Sequence, residues 1–592
     1  MDQKRLFTAI LISIAILLGY QLVAKRYLPQ PPTPSRHTEQ VQPETAQIGT
    51  GQTGTPTGAT PAAGGPASGV PASPSAVPKN VPRLKISAPA VRGSISLLGA
   101  RIDDVVLNDY RQTDARGSPD VQLLQPRSDS HPYYVQYGWS APSDVSLKLP
   151  DDTTVWAGSA SELTVGHPVT LSWDNGQGLT FRVVLGIDEH YMFSARQEVK
   201  NATGQPVKLY PWARIRRDYT PQTSGYYILF EGLLGVTNDR LQEYGYAKTR
   251  DDAKRKGSDV AFDETSTGGW AGMTDKYWLT AIVPDQAAAQ TARFRYVPGA
   301  EGHFQVDYAA QQPQTIAPGA EAAMATHLFA GAKVVTLLDH YGSQYKIPQF
   351  DKAVDFGWFY FITKPIFYCL DYLNAALGNF GLAIIVFTVF VKALFFPLAN
   401  YSYRSMSKMR LLSPKVTALR ERLKDDPAKM QSEMMTLYRA EKVNPASGCL
   451  PMLLQIPVFF SLYKVIFVTI EMRQAPFFGW IHDLSQVDPT NVFTLFGLIP
   501  WDPTVISPLL HLGAWPLIMG FTMWGQQKLN PAPPDPVQAK VFQFMPVIFT
   551  FMLARFPAGL VIYWTWNNLL SVLQQWLIMR RTRLARPGLA RT

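Results

Sequence analysis

Lys392 is the residue in this chain whose position most demands a physical account. It lies in residues 380–398 (FGLAIIVFTVFVKALFFPL), nineteen residues that are otherwise without charge. At about 1.5 Å of rise per residue, such a helix spans the roughly 30 Å hydrocarbon core of a bilayer. A lysine at the centre of a membrane helix costs about 2.5–3.5 kcal/mol on insertion scales. Either its amine rises along the stem to the headgroups, or it faces a wet cavity inside a helix bundle. The segment alone leaves both open.

Other polar residues favour the second reading. Thr388 precedes Lys392 by four residues and shares its helix face. In the apolar segment 558–579, Tyr563, Trp564, Asn567, Asn568, Ser571, Gln574 and Gln575 form a stripe at helical spacing. Segment 449–470 adds Gln455. One or two such groups would merely hydrogen-bond between helices, at roughly 0.6–2 kcal/mol per contact. A lysine-threonine face opposite a long polar stripe points instead to a continuous hydrophilic groove. Its expected lining is Lys392, Thr388, Gln455, Tyr563, Trp564, Asn567 and Asn568. Lys464 lies nearer the outer end of 449–470, on the face opposite Gln455, and is expected to snorkel outward. Pro451 and Pro457 weaken that helix's backbone bonding.

These residue types do not add up to bond-making chemistry. His511 has no Ser or paired Asp beside it to form a hydrolase constellation. There is no phosphate loop, no G-x-S-x-G and no metal-ligand cluster. The two cysteines, Cys369 and Cys449, provide neither a disulfide framework nor a metal site. No catalytic residue, cofactor or metal is therefore expected, and the chain reads as a non-enzyme.

The elements that position the groove follow from composition. Residues 1–28 hold an apolar stretch flanked by Lys4-Arg5 and Lys25-Arg26, read as an uncleaved signal anchor. Residues 29–80 are Pro, Gly, Thr, Ser and Ala without an aromatic, a flexible tether. From 81 to 345, short alternating runs between turn signals indicate an antiparallel β-sandwich domain. Residues 346–374 mix aromatics with Asp and Lys and suit a helix lying at the membrane interface. The remainder, 346–579, reads as a helical core, with spans at 380–398, 449–470, 507–524, 541–554 and 558–579. With the anchor this makes a six-span polytopic α-helical membrane protein.

Between the first two core spans, residues 400–447 read as an amphipathic helical hairpin. Ser413-Pro414 and Asp425-Asp426-Pro427 are expected to start its two helices. The net charge of +10 is carried by two places. Residues 400–447 hold ten Lys/Arg against five Asp/Glu, and the tail 580–592 holds five Arg and no acid. Alternation puts both on one side, which the positive-inside rule makes cytoplasmic. Both termini are then cytoplasmic and residues 29–345 periplasmic. The basic faces are simply solvated, or meet anionic lipid or ribosomal RNA; specific nucleic-acid sequence recognition is not indicated. A small-anion transporter or channel using Lys392 as its binding charge is the competing reading, but no internal repeat supports it.

Several longer motifs carry a family resemblance. NPASGCLPMLLQIPVFFSLY (444–463), EMRQAPFFGWIHDLSQVDP (471–489), MPVIFT (545–550) and FPAGLVIYW (556–564) resemble segments of the YidC/Oxa/Alb family of membrane protein insertases. RSMSKMRLLSPKVTALRER (404–422) resembles its cytoplasmic hairpin, and GGWAGMTDKYWLTAIVP (268–284) a motif of the periplasmic domain in Gram-negative members. The resemblance implies a five-helix insertase core and a groove open to cytoplasm and lipid but closed to the periplasm. It also implies a sixth N-terminal helix and a periplasmic β-supersandwich. The implied role is an insertase and chaperone of the bacterial inner membrane, with nascent membrane proteins, the ribosome, the Sec translocon and lipid as partners. The family's basic groove residue is usually Arg; the matching position here is Lys392. A tyrosine pair of the last helix appears as Tyr563-Trp564. The segment between 489 and 507 is longer than in familiar members.

Overall fold

The computed structural model describes residues 80–224, 229–299, 302–423, 426–441, 443, 450–507, 510–529 and 536–584. The expected N-terminal anchor, nearly all of the tether and the end of the basic tail lie outside these residues.

Alternation of apolar and polar residues builds the first region. In the strand Leu179–Ile187, every second residue is buried. The same two-residue period makes Met192–Asn201 its antiparallel neighbour. Among the described residues, twenty strands form two sheets of eleven and nine strands. Their inner faces share one apolar core that includes Trp270, Phe181, Phe294 and Phe329. This is the sandwich that alternation predicts, with one departure: Arg83–Ser87 pairs in parallel with Glu162–Thr164. Two helices accompany the sheets, α1 (Tyr246–Arg255) and α2 (Val335–Gln344). The Arg217 guanidinium makes two hydrogen bonds to Asp275, at 2.9 and 2.7 Å, and a third to the Tyr246 hydroxyl at 2.7 Å. Burial alone would raise the Asp275 carboxyl, but Arg217's charge and hydrogen bonds outweigh it and hold the group low.

The second region is helical. A 3₁₀ turn, Phe350–Ala353, leads into α3 (Tyr360–Leu377), α4 (Phe380–Leu394) and α5 (Phe396–Arg422). Then come α6 (Pro427–Ala440), α7 (Leu450–Val468), α8 (Ala514–Leu529), α9 (Pro536–Leu553) and α10 (Ala558–Leu584). Helix α10 is the hub, packing against α4, α5, α7 and α8. Helices α8 and α9 approach closely at Gly520, where a Cβ would strike the Thr550 hydroxyl. Small residues at such crossings are how apolar helices gain contact without a hydrophobic drive between them.

Three expected boundaries are corrected. Residues 380–398 are not one straight helix: α4 stops at Leu394 and the chain bends by 67° into α5. Pro397 sits at the start of α5, where its missing N–H costs nothing but where it cannot extend α4. Among the described residues no single helix is long and apolar enough to cross a membrane, and only this bent pair passes by length and composition. Second, Ser413-Pro414 does not start a helix, because α5 runs through Pro414. Leu412 and Val416 on either side of it are both buried, four residues apart on one face, and burying both needs an unbroken helix. The other start signal is seen: the Asp426 side chain accepts from the Lys429 N–H and caps α6. Third, the helix expected at 507–524 begins at Ala514. Its first N–H groups are capped from a distant loop, Ala514 by the Thr490 hydroxyl at 2.9 Å and Trp515 by Asp488 at 2.8 Å.

The β region and the bundle are joined by polar contacts. Glu471, just past α7, accepts a 2.9 Å hydrogen bond from the Val335 N–H at the start of α2. Burial pushes its carboxyl up to about 7. Arg473 donates to the carbonyls of Arg111 and Gln112 and stacks over Trp278. Lys464 does not snorkel outward. It forms a 2.8 Å ion pair with Asp355, because the turn before α3 folds a carboxylate over the end of α7.

Candidate functional site: a polar network among apolar helices

The expected groove residues divide into one connected network and three satellites. Lys392, two residues before the end of α4, donates a 2.8 Å hydrogen bond to the Ser571 hydroxyl on α10. Ser571 in turn donates to the Asn567 carbonyl one turn earlier, at 2.8 Å. Gln455 on α7 donates to the Tyr563 hydroxyl at 2.5 Å and to the Asn567 side-chain oxygen at 3.1 Å. Helices α4 and α7 thus converge on one face of α10. The spacing explains why: 563, 567 and 571 recur every four residues and point the same way.

The satellites face elsewhere. Thr388 is 1% exposed, and its hydroxyl bonds back to the Ile384 carbonyl of its own helix at 2.6 Å. It shares a sequence face with Lys392 but not its network, since a buried threonine is satisfied most cheaply by the carbonyl four residues back. Asn568 turns to α8 and donates to Thr522 at 3.2 Å. Trp564 is an aromatic wall, edge-on to Phe459 with ring centres 4.8 Å apart and also against Phe549. Ser571 was visible in the stripe but not singled out. Thr522, a lone threonine in an apolar helix, carries no periodic signal at all.

Charge sets the character of the network. Among the described residues no carboxylate forms an ion pair with Lys392, whose partner is the neutral Ser571 hydroxyl. Further along α10, the side-chain nitrogen of Gln574 is buried without a hydrogen-bond partner among the described residues. On the β side, the network is capped by an apolar layer. Leu462, Val465, Ile466, Val468, Leu560 and Ile562 are each at most 1% exposed. Away from that layer α7 opens: Leu453 is 58% and Ile456 39% exposed. The polar network therefore has a buried apolar layer on one side and outward-facing apolar residues of α7 on the other. Among the described residues no group of His, Cys, Asp and Glu is placed to hold a metal.

A cationic network of hydroxyls and amides thus lies within a helical bundle that adjoins a large β-sandwich. The profile described as the YidC periplasmic domain matches residues 83–369, and that of the 60Kd inner membrane protein matches residues 372–585. The chain is 59% identical to the membrane protein insertase YidC of Granulibacter bethesdensis over 100% of both chains. It is 55% identical to that of Acidiphilium cryptum over 99% of this chain and 98% of the other. A crystal structure of an active YidC insertase with its first transmembrane domain resolved aligns over 84% of this chain and 92% of that one, at 16% identity and a TM-score of 0.34. The chain belongs to the YidC family of membrane protein insertases.

Proposed function

We propose that this chain inserts proteins into the inner membrane by giving a substrate's short polar segment a partly hydrated, positively charged path through the network around Lys392. The observation that carries the residue-level reading is a lysine held between helices whose partner among the described residues is a hydroxyl. A cation so placed raises the local affinity for acidic groups, and surrounding amides and hydroxyls lower the desolvation penalty of a polar segment. The substrate's apolar segment then leaves sideways into lipid, and its removal from water drives the step. The apolar layer above the network keeps the path from becoming a pore. Family membership gives no support to the small-anion transporter reading.

In this reading the anchor helix and five core helices cross the bilayer, α4 with α5 as a bent span. Both termini lie in the cytoplasm and residues 29–345 in the periplasm, following the basic hairpin and tail. The hairpin α5–α6 and the Arg-rich tail receive the ribosome and nascent chain, and the chain works alone or beside the Sec translocon. The test is depletion of the protein with complementation by Lys392→Ala and Lys392→Arg, following insertion of small membrane proteins with acidic translocated tails. Lys392→Ala is expected to lower insertion about tenfold, and Lys392→Arg to support it. Equal insertion by all three forms would remove Lys392 from the mechanism.

A further inference from the structure

A cavity of about 840 Å³ lies where the strand Arg240–Gly245, the turn before α3 and the outer end of α7 meet. Four charged residues line it: Glu243, Lys352, Asp355 and Lys464. Asp355 is fully engaged, pairing with Lys464 and accepting the N–H groups of Phe230 and Gly357 at 3.0 Å each. Glu243 and Lys352 are different. Among the described residues neither side chain forms an ion pair or hydrogen bond. Desolvation, and then the charge of Asp355, raise the Glu243 carboxyl, so this acid gains from a cation beside it.

The remaining wall is mostly apolar, and two of its aromatics face outward. Trp358 is 80% exposed and Phe460, on α7, 46% exposed. Helix α3 continues the same surface with Phe361 and Tyr372, 71% and 76% exposed. Its Lys364 instead ties to Asp339 and Asp351, at 2.8 and 2.6 Å. Exposed aromatics on one side and paired charges on the other are the pattern of an element lying at the membrane–water boundary. In the proposed orientation the cavity would open near the headgroups. It offers one unpaired anion, one unpaired cation and an apolar wall.

We infer that this cavity binds an aminophospholipid, its primary ammonium at Glu243, its phosphate at Lys352 and its acyl chains along Trp358 and Phe460. The charges match a zwitterion rather than a purely anionic lipid, because a second anion would meet Glu243. A primary ammonium is favoured over a trimethylated one because it donates hydrogen bonds to the carboxylate.

The test uses the full chain in nanodiscs of mixed phosphatidylethanolamine, phosphatidylcholine and phosphatidylglycerol, with retained lipid counted by native mass spectrometry. The unaltered protein is expected to retain phosphatidylethanolamine at least fivefold over phosphatidylcholine. Glu243→Gln should bring that ratio to about one, and Lys352→Gln should lower retention of both. Melting of the β region, unchanged in both variants, confirms the fold. Equal retention of the two zwitterions by the unaltered protein, an excess of phosphatidylglycerol, or an unchanged ratio in Glu243→Gln would overturn the assignment.

Discussion

Two buried arginines of the β-sandwich and one lysine of the helical bundle are answered in opposite ways. In the sandwich, Arg217 is 2% exposed and holds Asp275 through two hydrogen bonds. Arg214 likewise holds the buried Asp307 at 2.8 Å. Each of these two cations is answered by an anion, the arrangement that low-dielectric surroundings favour. In the bundle, Lys392 is answered by a hydroxyl. The first arrangement is complete and belongs to stability. The second leaves the cation without a paired anion, which is what the proposed role of Lys392 needs.

Substitutions that separate stability from insertion break or sharpen this contrast. The largest effect belongs to Arg217→Ala, which strands Asp275 and is expected to destabilise the β region by about 3–5 kcal/mol, read by chemical denaturation. A loss under 1 kcal/mol would mean the sandwich does not depend on paired burial. Next is the joint between the regions. Glu471 is held near 7, above its unfolded value of about 4.3, so the folded state binds the extra proton. Its contribution is therefore full below pH ~4.3 and is lost as pH rises towards 7, by at most ~3 kcal/mol. Melting midpoints between pH 4.5 and 7.5 should fall with pH in the native protein, and less steeply in Glu471→Gln.

The third substitution, Lys392→Ala, strands no buried anion. It is expected to leave the melting temperature nearly unchanged while reducing insertion about tenfold, or ~1.4 kcal/mol in the barrier. A large stability loss with normal insertion would reverse the assignment and make Lys392 structural. The smallest effect is expected for Gln455→Ala, which removes two neutral interhelical hydrogen bonds at about 0.6 kcal/mol each. Its stability loss is measurable by denaturation in detergent, with insertion reduced by less than in Lys392→Ala.

Periodicity and residue type made parts of this molecule readable in advance. The two-residue alternation of Leu179–Ile187 and the four-residue recurrence of Tyr563, Asn567 and Ser571 are local signals that tertiary packing respects. What escaped the sequence depends on partners far along the chain. The start of α8 is set by Thr490 and Asp488, more than twenty residues earlier. Lys464 is neutralised by Asp355, over a hundred residues away. Thr388 was misread because helical phase fixes a face but not which acceptor a hydroxyl chooses. Pro414 was misread because propensity at a single proline is outweighed by the burial of Leu412 and Val416.

The bend after Leu394 has a mechanical meaning. Helix α5 has twenty-seven residues and so is about 40 Å long, and its inner end lies four residues beyond Lys392. It is a lever with its fulcrum at Phe395. Tilting it by 10° would carry its far end through about 7 Å, while the segment beside Lys392 moves by a fraction of that. Were α5 to pivot there, load applied at the hairpin would reach the charge as torque.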